Sequence, residues 1–150
     1  MKYWLMKSEP GAYSIDNLQT DRQTIWDGVR NYQARNFLRQ MRKNDLAFFY
    51  HSNTKIPGIV GLMKIIDNVV DPTQFDPTSK YYDAKATPEA PRWQTVSVQH
   101  VETFPDIIPL SDLKAEFSGD RFLVVRRGNR LSVMPVELDV AERILAMSRF

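Results

Sequence analysis

The apolar residues of this chain follow two rhythms, continuous or alternating in some stretches and spaced by three and four in others. Tyr3-Trp4-Leu5-Met6 is a short aromatic and aliphatic run, flanked by Lys2 and Lys7 and stopped by Pro10-Gly11, which predicts a buried strand entering a turn and carrying Ser8 and Glu9 to its end. Ala34, Phe37, Leu38 and Met41 fall at helical spacing, so a helix is expected from an Asn31 N-cap to about Lys43. Its other face carries Arg35, Arg39, Arg42 and Lys43, a basic stripe that is either simply solvated or turned toward phosphates. Asp45 to Tyr50 and Gly58 to Ile66 read as neighbouring strands, rich in β-branched and aromatic residues and joined by a polar loop containing Pro57.

The stretch from Asp67 to Pro91, with Asp-Pro at 71–72 and 76–77, predicts a long ordered loop. Strand patterns return at Arg92 to Phe104 and Phe122 to Arg126, around a short helix from a Ser111 cap to Glu116. Gly128-Asn129 suits a turn, Arg130 to Val133 a brief extended piece, and Pro135 the opening of a last helix buried through Leu138, Ala141, Ile144 and Leu145. Strands dominate the middle, helices flank them, and strand–helix alternation does not repeat. The expected class is therefore α+β, on a small, curved, mostly antiparallel sheet or barrel. Without internal repeat, low-complexity segment or linker, residues 1–150 are expected to form one domain around one core.

Composition narrows the class without naming a function. At 43% hydrophobic and 25% charged, the chain is ordinary globular material rather than a disordered or collagen-like one. It has no cysteine, which removes disulfides, thiolate nucleophiles and zinc ribbons and makes a reducing cytoplasm the default expectation. Neither a signal peptide nor a run of about 20 apolar residues is visible, so no membrane association is expected. A net charge of +2 is too small to imply nucleic acid unless the charges are concentrated.

Phosphate-loop, zinc-protease, calcium-loop and nucleophile-elbow motifs are all missing from the sequence. With only His51 and His100, no metal site and no cofactor are expected. His51 beside Ser52, with Glu9 or Asp27 near, could act as a base; a strand-end histidine satisfied by a hydrogen bond is the alternative. The richest stretch runs from Ile25 to Asn36. Trp26-Asp27-Gly28 offers a π face, a carboxylate acceptor and a flexible backbone within three residues, which suits a flat heterocycle stacked on the indole and hydrogen-bonded at its edge. The alternative is a core tryptophan leading into the helix.

Residues 3–10, 26–36 (Trp-Asp-Gly-Val-Arg-Asn-Tyr-Gln-Ala-Arg-Asn), 49–52 and 130–133, with Asp71-Pro72, Tyr81-Tyr82-Asp83 and Pro91-Arg92-Trp93, together resemble the EVE domain, the thymocyte nuclear protein 1-like family, over nearly the whole chain. The resemblance implies a PUA-like β-barrel with flanking helices, in a superfamily that includes the YTH readers of methylated adenine, and a non-catalytic role in recognising modified bases in DNA or RNA. Lys7-Ser8 and Trp26-Asp27 stand where YTH readers place a Lys-Ser pair and a Trp-Ser pair. A carboxylate at Asp27 accepts hydrogen bonds without donating, which favours a base edge bearing an amino group.

The expected base site thus comprises Lys7, Ser8, Glu9, Trp26, Asp27 and Gly28, with Tyr32 or Tyr50 completing an aromatic cage and His51 and Ser52 at the rim. Asn31 either caps the helix or touches the ligand. Arg30, Arg35, Arg39 and Arg130 are the expected phosphate contacts. Two other classes stay open: a hydrolase of modified nucleosides using Glu9 or Asp27 with His51, and a protein-interaction module whose arginine stripe meets an acidic partner.

Overall fold

The structure, a computed structural model, describes residues 1–149. Its six strands are β1 (Tyr3–Ser8), β2 (Gln23–Ile25), β3 (Leu46–His51), β4 (Gly58–Val70), β5 (Gln94–Pro109) and β6 (Val133–Val136). The four α-helices are α1 (Ile15–Asp21), α2 (Tyr32–Gln40), α3 (Leu110–Glu116) and α4 (Leu138–Met147), with 3-10 turns at Pro72–Phe75 and Leu123–Val125. The strands form a mixed sheet in the order β2-β5-β4-β3-β1-β6. Only β1 and β3 run parallel, in a register that sets Lys7 opposite Tyr50 and Ser8 opposite His51.

Side-chain alternation along the strands divides the apolar residues into two clusters on opposite faces of the sheet, rather than the single core expected. Leu5, Phe48 and Tyr50 point to one face, under Leu113 of α3 and Val140, Ala141 and Ile144 of α4. Trp4, Met6, Ala47 and Phe49 point to the other, under Ile15 and Leu18 of α1 and Ala34 and Leu38 of α2. Burial on both faces is why β1 and β3 are continuous apolar runs instead of alternating ones. Asp45 is buried at the start of β3, where its carboxylate accepts from the Trp4 indole N–H at 3.0 Å and from the backbone N–H of Lys2 and Arg42.

The sheet is strongly curved but open. Register shifts in β4 bend it at Ile59/Gly61, Leu62/Met63 and Ile65/Asp67, as bulges do. Helix α2 packs against both β5 and β6, although three strands separate them in the sheet. The expected α+β class holds, but no pairing joins the edge strands β2 and β6 among the described residues, so the sheet does not close into a barrel and keeps a seam.

Other expectations change for local reasons. Pro135 lies inside β6 and opens no helix: β6 is an edge strand, where a missing N–H costs no ladder bond, and α4 starts only at Leu138. Phe122 to Arg126 is a tight 3-10 turn with Val124 buried, not a strand. Helix α2 stops at Gln40 instead of Lys43, because Met41 is extended. Strand β4 continues to Val70, taking the first residues of the expected loop, and α3 begins behind Pro109, so Ser111 is not its cap. The rest of that loop is ordered by the buried Gln74, whose amide donates to the Asp71 and Trp93 carbonyls and accepts from the Arg92 and Trp93 N–H groups.

Candidate functional site

A cleft of about 820 Å³ opens at the seam of the sheet. One wall is the end of β1 (Lys7, Ser8, Glu9) with Ser52, Arg130 and Ser132; the opposite wall is Thr24 and Ile25 of β2, the following Trp26–Arg30 segment, and Lys80 and Tyr81. Ala12 and Tyr13 complete the lining. The cleft thus lies between edge strand β2 with the segment after it and the end of β1 with the segment leading into β6.

The Trp26–Arg30 wall is held by contacts distant in sequence. Trp26 donates its backbone N–H to the Val96 carbonyl at 2.9 Å and accepts from the Thr95 hydroxyl. Trp26 is 7% exposed and its indole meets Phe49 edge-on at 5.2 Å, so most of it faces the core and only its margin reaches the cleft. Gly28 has φ of 84°, a conformation that favours glycine, and its N–H donates to Asp71 at 2.8 Å. The Tyr81 ring lies so close over Gly28 that an added Cβ would sit 2.6 Å from it.

Asp71 also accepts from the Thr73 N–H and hydroxyl and pairs with Arg30 at 2.9 Å. Burial alone would raise its carboxyl, but the hydrogen bonds from Thr73, Gly28 and Arg30 hold it below the ordinary carboxylate range. Arg30 spends its donors within the protein, on Asp71, Thr73 and the Val29 and Tyr81 carbonyls. Expected to contact phosphate, it instead braces the wall of the cleft.

Asp27 differs from its neighbours: its carboxylate has no partner on another residue among the described residues. Partial burial first, and then the charge of Asp71, push its carboxyl up from the ordinary value. Across the cleft, burial lowers the Lys7 ammonium, which makes no ion pair with a described carboxylate and sits 5.6 Å from the Tyr50 ring centre. The Ser8 hydroxyl donates to the Tyr13 carbonyl at 2.6 Å, leaving its lone pairs for a ligand. The Tyr13 phenol, desolvated and donating to Asp21 at 2.8 Å, is pushed up to about 12.

The cleft therefore gathers Lys7, Ser8, Glu9, Trp26, Asp27, Gly28, Arg30, Ser52 and Arg130. Other expected site residues lie elsewhere. Asn31 caps α2 by accepting the Ala34 N–H at 2.9 Å. Tyr50 is 3% exposed within the opposite core, where strand alternation puts it, and Tyr32 stacks on Trp93 at 5.0 Å away from the cleft. His51 does not line the cleft either: its Nε2 accepts the Ile15 N–H at 3.1 Å, so the ring is neutral with its proton on Nδ1. Arg35 and Arg39 lie on the outer face of α2, held by the Arg92 carbonyl and Gln94.

Tyr13, Lys80 and Tyr81 were not anticipated as lining residues. Tyr81 stood within the Tyr81-Tyr82-Asp83 stretch of the family resemblance, the one signal that pointed to it. No group of three or more His, Asp or Glu that could hold a metal ion occurs among the described residues.

The family model described as "EVE domain" matches residues 2–147. The chain belongs to the EVE domain family. This EVE domain is 42% identical to thymocyte nuclear protein 1 of Mus musculus over 97% of its own length and 73% of the mouse protein. It superposes with a TM-score of 0.90, at 40% identity, on the crystal structure of human THYN1 protein in complex with DNA containing 5-methylcytosine, covering 100% of this chain and 99% of the human one. The YTH domain of Mmi1, crystallised with RNA, shares the fold at a TM-score of 0.53 and 11% identity, covering 99% of this chain and 77% of that one. The cytoplasmic location expected from composition finds no support among these relatives, of which the mouse one is named a nuclear protein. No helix of this EVE domain, among the described residues, is long and apolar enough to cross a membrane.

Proposed function

We propose that this EVE domain binds one modified base of a DNA strand, cytosine in type, in the cleft at the seam of its sheet, and that it does so without catalysing a reaction. The observation that carries this is the Asp27 carboxylate. It stands exposed at a cleft of base-binding size, beside Tyr13, Tyr81 and the margin of Trp26, and it accepts no hydrogen bond from another described residue. The exocyclic amino group of cytosine is a donor of the kind it lacks, whereas thymine and uracil present only carbonyl oxygens beside their ring N–H.

To reach Asp27, the base must leave its stack, at a cost of a few kcal/mol that aromatic contact repays at roughly 1–3 kcal/mol per base. Ser8 and the backbone around Gly28 supply further polar contacts. A 5-methyl group adds about 0.8 kcal/mol when it is buried, so preference over the unmodified base is a matter of a few-fold. The complex of human THYN1 with 5-methylcytosine DNA supports the choice of nucleic acid and base. The absence of turnover rests on His51, whose ring is committed to α1 outside the cleft.

Fluorescence anisotropy with short oligonucleotides tests this reading. The set comprises DNA with cytosine, 5-methylcytosine, 5-hydroxymethylcytosine or N6-methyladenine, single- and double-stranded, plus one RNA strand. A modified cytosine in DNA is expected to bind about three- to tenfold tighter than its parent. Asp27→Ala, which leaves the amino group without its acceptor, is expected to weaken binding by at least about tenfold while the protein stays folded. Equal binding of all oligonucleotides, or an Asp27→Ala protein that binds as well as the parent, rules the reading out.

A further inference from the structure

Outside the cleft, the outer face of α2 brings together arginines that the overall charge of the chain does not foreshadow. Arg35 and Arg39 lie one helical turn apart, about 6 Å along the axis, and Arg92 joins them from the segment before β5. Neither Arg35 nor Arg39 has a carboxylate within ion-pair distance among the described residues; Asp83 serves Arg92 at 3.7 Å and the Trp93 indole N–H. Desolvation, and after it the charge of Arg39, lower the Arg35 guanidinium from its ordinary value, with Arg92 adding to the repulsion.

The side chains on this face are fixed in place. The Tyr32 and Trp93 rings stack at 5.0 Å with an interplanar angle of 17°. The Arg35 guanidinium lies 4.7 Å from the Tyr32 ring centre and donates to the Arg92 carbonyl at 3.0 Å and to the Asn36 side-chain oxygen at 3.2 Å, which leaves one N–H on each of its Nη groups. Arg92 reaches the Tyr32 hydroxyl, and Arg39 donates through Nε to Gln94 at 2.8 Å, which leaves both of its Nη groups unengaged within the described protein. The face is also continuous with the cleft, because the guanidinium of Arg30, which braces the cleft wall, lies 5.2 Å from the other partner in the stack, Trp93.

We propose that this pre-set arginine face is a backbone-binding surface for the strand whose base occupies the cleft, with Arg35 and Arg39 each taking one flanking phosphate. It rests on the nucleic-acid reading above and extends it to a second surface. A guanidinium fork suits phosphate oxygens, and Arg35, held over Tyr32, and Arg39, held by Gln94, lose little further freedom when they bind. Uncompensated like charges one turn apart are a cost that an anionic backbone relieves. Such contacts carry no base information, so they act on all sequences alike.

The test measures affinity against salt for a 5-methylcytosine duplex and its unmodified parent, using the parent protein, Arg35→Gln, Arg39→Gln and the double variant. Arg121→Gln, a substitution in an arginine paired with Glu137 and Asp139 elsewhere on the surface, is the control. Each phosphate lost should reduce the slope of log K on log salt by about 0.9, so the double variant should lose nearly two units of slope and bind both duplexes equally more weakly. Its preference for the modified base should be unchanged, and the control should match the parent. Melting curves establish that each variant is folded. A folded double variant with the parent's slope overturns the proposal and leaves this face for another partner, such as an acidic protein segment. A reduced slope in a protein without base preference upholds this surface and overturns the cleft reading instead. If the parent protein binds neither duplex, both fall.

Discussion

A methyl group on Gly28 would meet the Tyr81 ring at 2.6 Å on a backbone whose φ of 84° already excludes most side chains. One residue therefore sets both the turn of the chain after Trp26 and the placement of an aromatic wall. Gly28→Ala is expected to cost about 1–3 kcal/mol of stability, seen as a lower melting temperature, and to weaken oligonucleotide binding by displacing Tyr81. An unchanged melting curve would mean that the turn relaxes freely. At this scale the sequence was readable in part. The grouping of Trp26, Asp27 and Gly28 signalled a site because three different chemistries lay side by side. Tyr81 was signalled only through the family resemblance, because its place against Gly28 depends on Asp71 and Arg30 closing a loop more than 40 residues long. Tyr50, one of two candidates expected to complete the cage, is turned to the opposite face by alternation with Phe49, which packs on Trp26.

Among the elements, α1 shows most directly how a short helix survives. At seven residues, with Ile15 and Leu18 its only buried residues, it offers too little periodicity to be seen in the sequence. Capping compensates: Ser14 and Asn17 form a reciprocal capping box, and His51 of β3 accepts the Ile15 N–H. That acceptor exists only while the imidazole is neutral, and burial, opposed by Asp16, lowers the His51 pKa from 6.5. A depressed histidine contributes stability that is complete above its unfolded value and is lost as the pH falls through the folded one.

Urea midpoints measured from pH 8 down to pH 5 should therefore fall more in the parent than in His51→Gln, whose amide does not titrate. The difference between the two isolates His51 from His100, whose pKa is lowered as well. Equal declines would remove His51 from the cap. The three-residue β2 was invisible for a similar reason, having no apolar pattern of its own and existing through its pairing with β5. Pro135 misled in the other direction, since a residue well suited to the first turn of a helix is equally tolerated on a sheet edge.

Across the whole molecule, the two cores share one sheet, with β1, β3 and β4 each supplying side chains to both. We propose that they cannot melt separately. Thermal unfolding followed by tryptophan fluorescence and by far-ultraviolet circular dichroism should give coincident single transitions, and two resolved steps would show that the faces are independent units. The α+β class was legible because strand and helix periodicities are both strong here. The openness of the sheet was not, since closure depends on whether two edges meet across a curved surface, which hydrophobic pattern does not encode.

That seam also determines when the binding site comes into being. Its walls are drawn from residues 7–9, 12–13, 24–30, 52, 80–81, 130 and 132, so stretches far apart in the sequence must come together before it exists. The cleft has no smaller version that a fragment could carry, and a ribosome-bound chain lacks it until residues 130–132 have emerged. The recognition proposed for this cleft is thus a property of the assembled sheet and of no single segment within it.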